Sequence, residues 1–390
     1  MTRVRDFSIS GLAGRKGIYA ERLNKDINIF FGPNGSGKTA LLKILHSALA
    51  SDPESLLGVK FATAAIGVID ESDTPERRTI ETNKQLESFL NDIASSPYYL
   101  SRPDIDRYLR RNLSDYNWLS EGTRRASKKD GPLPLQHRYL STLRLTTDLP
   151  DARRMRSGPD LGTERNFDEF FAESVQQLWR AYSNDILTEV RAAQEEGLAQ
   201  ILKVVLSESE SQRTSKIRID QQKAYNRVKN FLGRQKSSGK LGSFNSFMKR
   251  YESDAMLRSV VRHIDQVENR IEKAMEPRGA LEHLVSELFS QNAHVEFLDS
   301  SIRVRTRDSK DISLARLSSG EKQILRILVE TIMAGANPII IDEPELSLHI
   351  DWQRRLLDAM IAINPRAQII VATHSPEIME NFADEKIFRI

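Results

Sequence analysis

Eight residues near the amino terminus carry the most specific chemistry in the chain. Gly32, Pro33, Asn34, Gly35, Ser36, Gly37, Lys38 and Thr39 fit the pattern G-x-x-x-x-G-K-[ST] at every fixed position. The glycines allow the backbone to wrap closely around phosphate oxygens with its N–H groups turned inward, and a helix starting here would offer its positive end to the same anion. Lys38 is then placed to neutralise the β- and γ-phosphates, and Thr39 to give a hydroxyl to Mg²⁺.

Three further clusters lie near the other end. Ile339-Ile340-Ile341-Asp342-Glu343 is an apolar strand ending in two acids. Ligands of open α/β sheets bind at the carboxyl ends of strands, so Asp342 can hold a metal and Glu343 can orient a water and take its proton. Leu317-Ser318-Ser319-Gly320-Glu321-Lys322-Gln323 precedes the helical run 324–333 and offers Ser318, Ser319 and Gly320 as a second phosphate-binding surface; taken alone, it reads rather as an ordinary helix cap. Ala372-Thr373-His374-Ser375-Pro376 ends the last clear strand. His374 there can donate to a γ-phosphate, or serve structure alone.

These residues need rigid supports, and the flanking pattern supplies them. The first 50 residues read as strand, turn, strand, glycine loop and helix, with Asp26 to Phe31 as the strand before the loop and Ala40 to Leu45 as the buried helix. Near the end, the β-branched runs 339–341 and 368–371 suit a parallel sheet covered on both faces, with a helix over 350–363 between them. His294 to Leu298 and Ser301 to Arg305 alternate as strands do. Val59 to Asp70 reads as a strand, 81–93 and 104–119 as helices, and 121–134 as a polar loop.

The middle is mostly helical. Apolar residues recur at steps of three and four from Phe167 to Leu206, over 213–232, and from Phe244 to Met275. The second and third runs are joined by a glycine- and serine-rich stretch, 233–242, so 213–276 reads as an antiparallel helical hairpin, either simple packing or a contact arm. From Arg213 to Arg250 there are eleven basic residues against one acid, Asp220, so this segment carries +10 and the remainder −7 of the net +3. Lys223, Arg227, Lys229 and Lys236 are its candidates for contact with DNA or RNA phosphates; a solvated face is the alternative.

Composition excludes several classes. With 39% apolar and 28% charged residues among 390, the chain reads as globular, and no run approaches the roughly 18 apolar residues that span a bilayer. The amino terminus lacks the apolar stretch of a secretory signal, so no membrane role and a cytoplasmic location are expected. The absence of cysteine removes disulfides, thiolate metal sites and thiol nucleophiles.

The order of the four motifs resembles the Walker A loop, signature, Walker B strand and switch histidine of ATP-binding cassette ATPases. Ile341 to His349 and Val371 to Pro376 are similar to the RecF, SMC and OLD-type branch of that superfamily. The resemblance covers 1–50 and 294–390. It implies an α/β P-loop NTPase fold of the ABC type, a mixed sheet flanked by helices, with a largely helical insertion that forms the hairpin. The domains expected are an ATPase head from 1–50 and 290–390, a head-associated insertion of strands and helices over 51–160, and a helical insertion over 161–289.

The resemblance also implies ATP with Mg²⁺ as cofactors and a homodimer, or a higher homo-oligomer, that sandwiches each ATP between one Walker loop and the other copy's Ser318 and Gly320. Departures lie at Ser319 and Glu321, where transporters carry Gly and Gln, and at His349, where many cassettes have Asp. Gln136 is the candidate Q-loop glutamine. With sixteen residues after His374, a fused nuclease of the OLD kind is not expected. Stand-alone ATPases of this appearance resemble the ATPase members of anti-phage systems such as Septu and PARIS, which implies a soluble switch in defence or DNA repair with a separate effector, such as a nuclease. Two other classes are a transporter's nucleotide-binding subunit, whose signature would lie closer to Lys38, and an ATP-dependent scaffold with negligible turnover, against which Glu343 argues.

Overall fold

The computed structural model describes residues 2–56, 58–82, 117–121, 132–141, 164–206, 220–234, 242–289, 293–306, 308 and 310–390. The chain forms two compact units, one of residues 1–175, 284–296 and 303–390, the other of 176–283 and 297–302.

In the first unit a parallel sheet carries the β-branched runs. Its strands are β3 (Ile27–Phe31), β7 (Arg138–Leu140), β11 (Ile339–Asp342), β12 (Ile369–Thr373) and β13 (Ile387–Arg389), in the order β13-β3-β12-β11-β7. Ile339, Ile340 and Ile341 are fully buried, as continuous apolar strands of a two-sided parallel sheet must be. An antiparallel sheet in the order β2-β1-β4-β5-β6 is built from β1 (Arg3–Ser10), β2 (Ile18–Arg22), β4 (Thr63–Ile69), β5 (Pro75–Glu81) and β6 (Leu119–Glu121). All pairs of the first sheet are thus parallel and all pairs of the second antiparallel, instead of mixing within one sheet as expected.

Helix α1 (Lys38–Ala50) lies in the core that both sheets share, its Leu41, Leu42 and Leu45 packed with Ile66 and Val68 of one sheet and Ile340 and Ile370 of the other. That double burial accounts for a helix apolar on nearly every face. Buried Gln368 ties the sheets at one end: its Oε1 accepts from the Val4 N–H at 2.8 Å and its amide donates back to the Val4 carbonyl at 2.8 Å. A small sheet follows later in sequence, β10-β9-β8, from β8 (Ala293–Phe297), β9 (Ile302–Thr306) and β10 (Asp311–Ile312).

The second unit rests on α2 (Glu164–Leu206), α3 (Gln221–Arg234), α4 (Phe244–Ser253) and α5 (Ala255–Phe289), the outer two of which continue into the first unit. Ala224 and Val228 of α3 pack with Phe247 and Tyr251 of α4 and with Val261 and Ile264 of α5. Gly197, inside α2, lies where a Cβ would fall 2.1 Å from Val267 Cγ2, so glycine is what lets α2 and α5 approach. Trp179 donates to the Leu298 carbonyl at 2.6 Å and stacks under the Arg278 guanidinium at 5.6 Å.

Several expectations are corrected. The run 244–275 is not one helix: Asp254 leaves helical geometry, ends α4, and turns its carboxylate to accept from Met256 and Leu257, starting α5. That helix continues to Phe289 through Pro277, where only one backbone donor is missing. Residues 83–116, expected to be largely helical, lie outside the described residues, as do 213–219 and 235–241; Glu81 closes β5 and Leu119 opens β6 instead of belonging to helices.

Candidate functional site

The parallel register fixes which residues meet at the carboxyl edge of the sheet. Asp342 of β11 is level with Ala372 of β12, and Thr373 is level with Phe31 of β3. The residues that follow, Glu343, His374 and Gly32, therefore leave the sheet along one edge, three sequence-distant motifs brought side by side.

Gly32 opens the phosphate loop in a space closed by Ile390: a Cβ there would fall 2.5 Å from the Ile390 carbonyl oxygen. Asn34 and Gly35 are exposed at the loop tip, and Gly35 has φ of 77°. Gly37 caps α1 with φ of 104°, a conformation that favours glycine, and a Cβ would sit tightly against Ala13 at 3.1 Å. No side chain caps this helix end. Lys38 is buried, and its ammonium donates to the carbonyls of Gly32 at 2.8 Å and Pro33 at 3.0 Å. Ser36 is buried with a hydroxyl that has no hydrogen-bond partner.

Thr39 donates its hydroxyl to Asp342 Oδ2 at 2.9 Å, and Asp342 is fully buried. These two oxygen ligands suit a hard divalent cation bound together with phosphates. The Ser36 hydroxyl and the uncapped α1 N–H groups beside them are polar groups that a phosphate would satisfy. The site residues therefore fit nucleotide with Mg²⁺.

Glu343 follows with φ of 48°, a left-handed conformation rare for a residue with a side chain. His374 Nδ1 lies 3.7 Å from Glu343 Oε1 and 3.2 Å from Glu345 Oε1. Glu345 was missed in the sequence, because its partners, the Thr373 hydroxyl at 2.5 Å and the His374 N–H at 3.0 Å, are 28 and 29 residues away.

The second loop is built differently. Ser318 and Ser319 are exposed, Gly320 is buried, and a Cβ on Gly320 would fall 2.7 Å from the Ser347 carbonyl. Ser318 caps α6 (Ser319–Met333) in a reciprocal box with Glu321, its hydroxyl donating to Glu321 Oε2 at 2.8 Å. Lys322 reaches Asp168 at 2.6 Å, and His349, exposed beside Asp351, caps α7 (Ile350–Ile363).

Two expected positions lie elsewhere. Gln136 precedes β7 at the amino end of the sheet, where it accepts from Asn337 at 3.4 Å, opposite the edge that carries Asp342; the Q-loop assignment is therefore withdrawn. Of the nucleic-acid candidates, Arg227 is engaged by α5, donating to Asp265 at 3.1 Å, Asn269 at 2.8 Å and Glu272 at 2.8 Å. Glu272 heads the causes that raise its pKa above the ordinary arginine value. Lys223 lies 3.6 Å from Asp265, Lys229 is exposed, and Lys236 lies outside the described residues.

A strand, phosphate loop and helix, faced by a buried aspartate at the same sheet edge, define a P-loop NTPase. The serine loop at 318–320 and the histidine after β12 are the residues on which the resemblance to ATP-binding cassette ATPases rests. A family model described as "AAA domain, putative AbiEii toxin, Type IV TA system" matches residues 27–380, and the chain belongs to that family. The chain is 28% identical over 94 residues to "Retron Vc95 probable ATPase" of Vibrio cholerae serotype O1 biovar El Tor, covering 21% of this chain and 18% of the relative. It is 26% identical over 95 residues to "Retron Ec83 probable ATPase" of Escherichia coli, with the same coverage of 21% and 18%. The matches thus span less than a fifth of these relatives. Among solved structures, the SMC head domain from Thermotoga maritima aligns over 97% of this chain and 91% of its own at 12% identity and a TM-score of 0.40. Among the described residues, no helix is long and apolar enough to cross a membrane.

Proposed function

We propose that this protein is an ATPase in which two copies close around ATP and reopen after hydrolysis. The observation that carries this reading is the Thr39–Asp342 contact, made at 2.9 Å across 303 residues of sequence beside Lys38 and Glu343. In this reading Lys38 exchanges its carbonyl contacts for the β- and γ-phosphates, and the N–H groups of the α1 terminus hold the same oxygens. A Mg²⁺ held by Thr39 and Asp342 supplies positive charge against the phosphates. Glu343 orients the attacking water and accepts its proton, and His374 donates to the γ-phosphate.

The second copy supplies Ser318 and Gly320, which are exposed and buried respectively at the start of α6 and lie on a different loop from Lys38. The likeness over part of the chain to two proteins named as probable retron ATPases supports the ATPase reading; that the ATPase is a switch acting on a separate effector, in anti-phage defence or repair, belongs to this proposal. The test is Glu343→Gln, which removes only the proton acceptor. Turnover should fall about 10³-fold while ATP still binds, and the dimer should accumulate in sedimentation with ATP. Parental turnover in this variant would remove Glu343 from its role.

A further inference from the structure

Glu345 is a carboxylate in a place where a carboxylate is expensive. It lies on the turn after β11, between Glu343 at φ 48° and Ser347 at φ 67°, and the turn closes on the Leu346 N–H to Glu343 and Leu348 N–H to Glu345 carbonyl bonds. These two left-handed residues fold the turn back, and the Glu345 side chain is 4% exposed. Burying a charge without partners is strongly unfavourable, so the donors that meet it show its purpose. All of them converge on one oxygen: Oε1 accepts from the Thr373 hydroxyl and the His374 N–H and lies 3.2 Å from His374 Nδ1. Oε2 is buried with no hydrogen-bond partner. A neutral hydroxyl and a backbone N–H could be served by an amide or by water. The third contact is the one for which an anion is best suited, and it requires the proton on Nδ1.

We infer that Glu345 is a positioning residue for the proposed hydrolysis. It holds the His374 ring through Nδ1, drawing that nitrogen away from Glu343 and leaving Nε2, on the opposite side of the ring, to face the terminal phosphate. This rests on the ATPase reading above. In this assignment Glu345 acts through His374, the ring its Oε1 meets at 3.2 Å. A carboxylate that fixes the tautomer and angle of a working histidine is a recurrent device in enzyme sites.

The experiment is a double-mutant cycle on the full chain, with steady-state ATP hydrolysis as the readout. His374→Ala and Glu345→Ala should each lower kcat by about 30-fold with KM within about threefold, because ground-state binding is left to the phosphate loop. Together they should do no more than His374→Ala alone, since Glu345 has nothing left to position. Glu345→Gln keeps the shape and one acceptor and should recover kcat to within about fivefold of the parent. Should Glu345→Ala fail to fold, Glu345→Gln takes its place in the cycle, with a smaller loss expected in the parent and none in the His374→Ala background. A brace that merely held the turn would cost as much in either background, because Thr373 and the residue-374 N–H remain; equal losses would overturn the inference, as would Glu345→Ala at parental kcat. A parent chain without ATP hydrolysis would overturn the ATPase reading itself. A hydrolysing parent whose His374→Ala variant is unimpaired would overturn this inference and the role given to His374, and leave the rest of the ATPase reading standing.

Discussion

Two helices of the first unit begin at a loop of serine and glycine, and their first turns are built in opposite ways. At α1 the cap is Gly37, no side chain reaches the N–H groups, the Ser36 hydroxyl is buried without a partner, and Lys38 rests on carbonyls of its own loop. At α6 the cap is Ser318, and Glu321 returns the bond by accepting from both the Ser318 hydroxyl and the Ser318 N–H at 2.8 Å. One end has polar groups awaiting an anion; at the other, the Ser318 and Glu321 N–H groups are already satisfied. An anion can therefore organise the first loop within one copy, whereas the second can only add a contact at its exposed face to an anion held elsewhere.

Two substitutions test that division. Ser318→Arg places a long cation where the second copy's ATP would dock. It should abolish turnover while a filter assay finds ATP affinity within about twofold of the parent, because the α1 loop is untouched. Mixed with Lys38→Ala chains, it should regain at most one working site per dimer. If Ser318→Arg instead lost ATP binding, both loops would belong to one site in one copy. Lys38→Ala should weaken ATP binding by about 100-fold, the loss of one or two charge-assisted hydrogen bonds. Unchanged affinity in calorimetry would show that the α1 terminus suffices alone.

The other end of α1 contrasts with its beginning. Arg78, 1% exposed, donates to the Ala48 carbonyl at 2.6 Å, and His46 shares a 2.7 Å hydrogen bond with His137 while stacking on Tyr139. Burial, then the neighbouring His137, holds the His46 pKa down at about 4, and burial likewise lowers that of His137. An unfolded histidine titrates near about 6.5, so the unfolded chain binds the proton first as pH falls. Stability from this pair is complete above about 6.5 and is lost on the way down towards 4. By pH 5 the loss from His46 should reach about 2 kcal/mol, read as a lower thermal midpoint than at pH 7.5. His46→Gln should flatten that difference, and an unchanged slope would place the pH response elsewhere.

How much of this was legible depended on the distance over which each group finds its partner. The phosphate loop, the acid-ended strand and α7 are set by neighbours in sequence, and 350–363 was read to the residue. β5 was not foreseen, because Pro75 to Glu81 alternates weakly and is a strand through its pairing with β4. Arg78 within it looks like a surface cation until α1 supplies carbonyls. Arg227 looked available to phosphates because its acids lie 38 and 45 residues on, along α5. The break at Asp254 has a trace in the sequence, a step of six from Tyr251 to Leu257 where the apolar period otherwise runs in threes and fours, but the periodicity on either side reads as one helix. Glu345 shows the same limit inside the site, where the turn after β11 meets the end of β12.

The smallest expected effect gives the finest division between the loops. Glu321→Ala removes one half of the α6 capping box and leaves the other, since the Ser318 hydroxyl still faces the residue-321 N–H at 3.3 Å. Losing a reciprocal cap costs about 1 kcal/mol, a shift of about 2 °C in the thermal midpoint of a chain this long. Glu321 also sets a carboxylate beside the hydroxyl that the second copy would offer to a phosphate. Its removal eases repulsion while loosening the serine. A structural cap alone predicts a lower midpoint with turnover unchanged. A cap that also presents Ser318 to the other copy's ATP predicts the same midpoint shift together with a several-fold change in the protein concentration at which ATPase activity is half-maximal. Titrating turnover against protein concentration separates the two, since an effect on stability alone would leave that midpoint where it was.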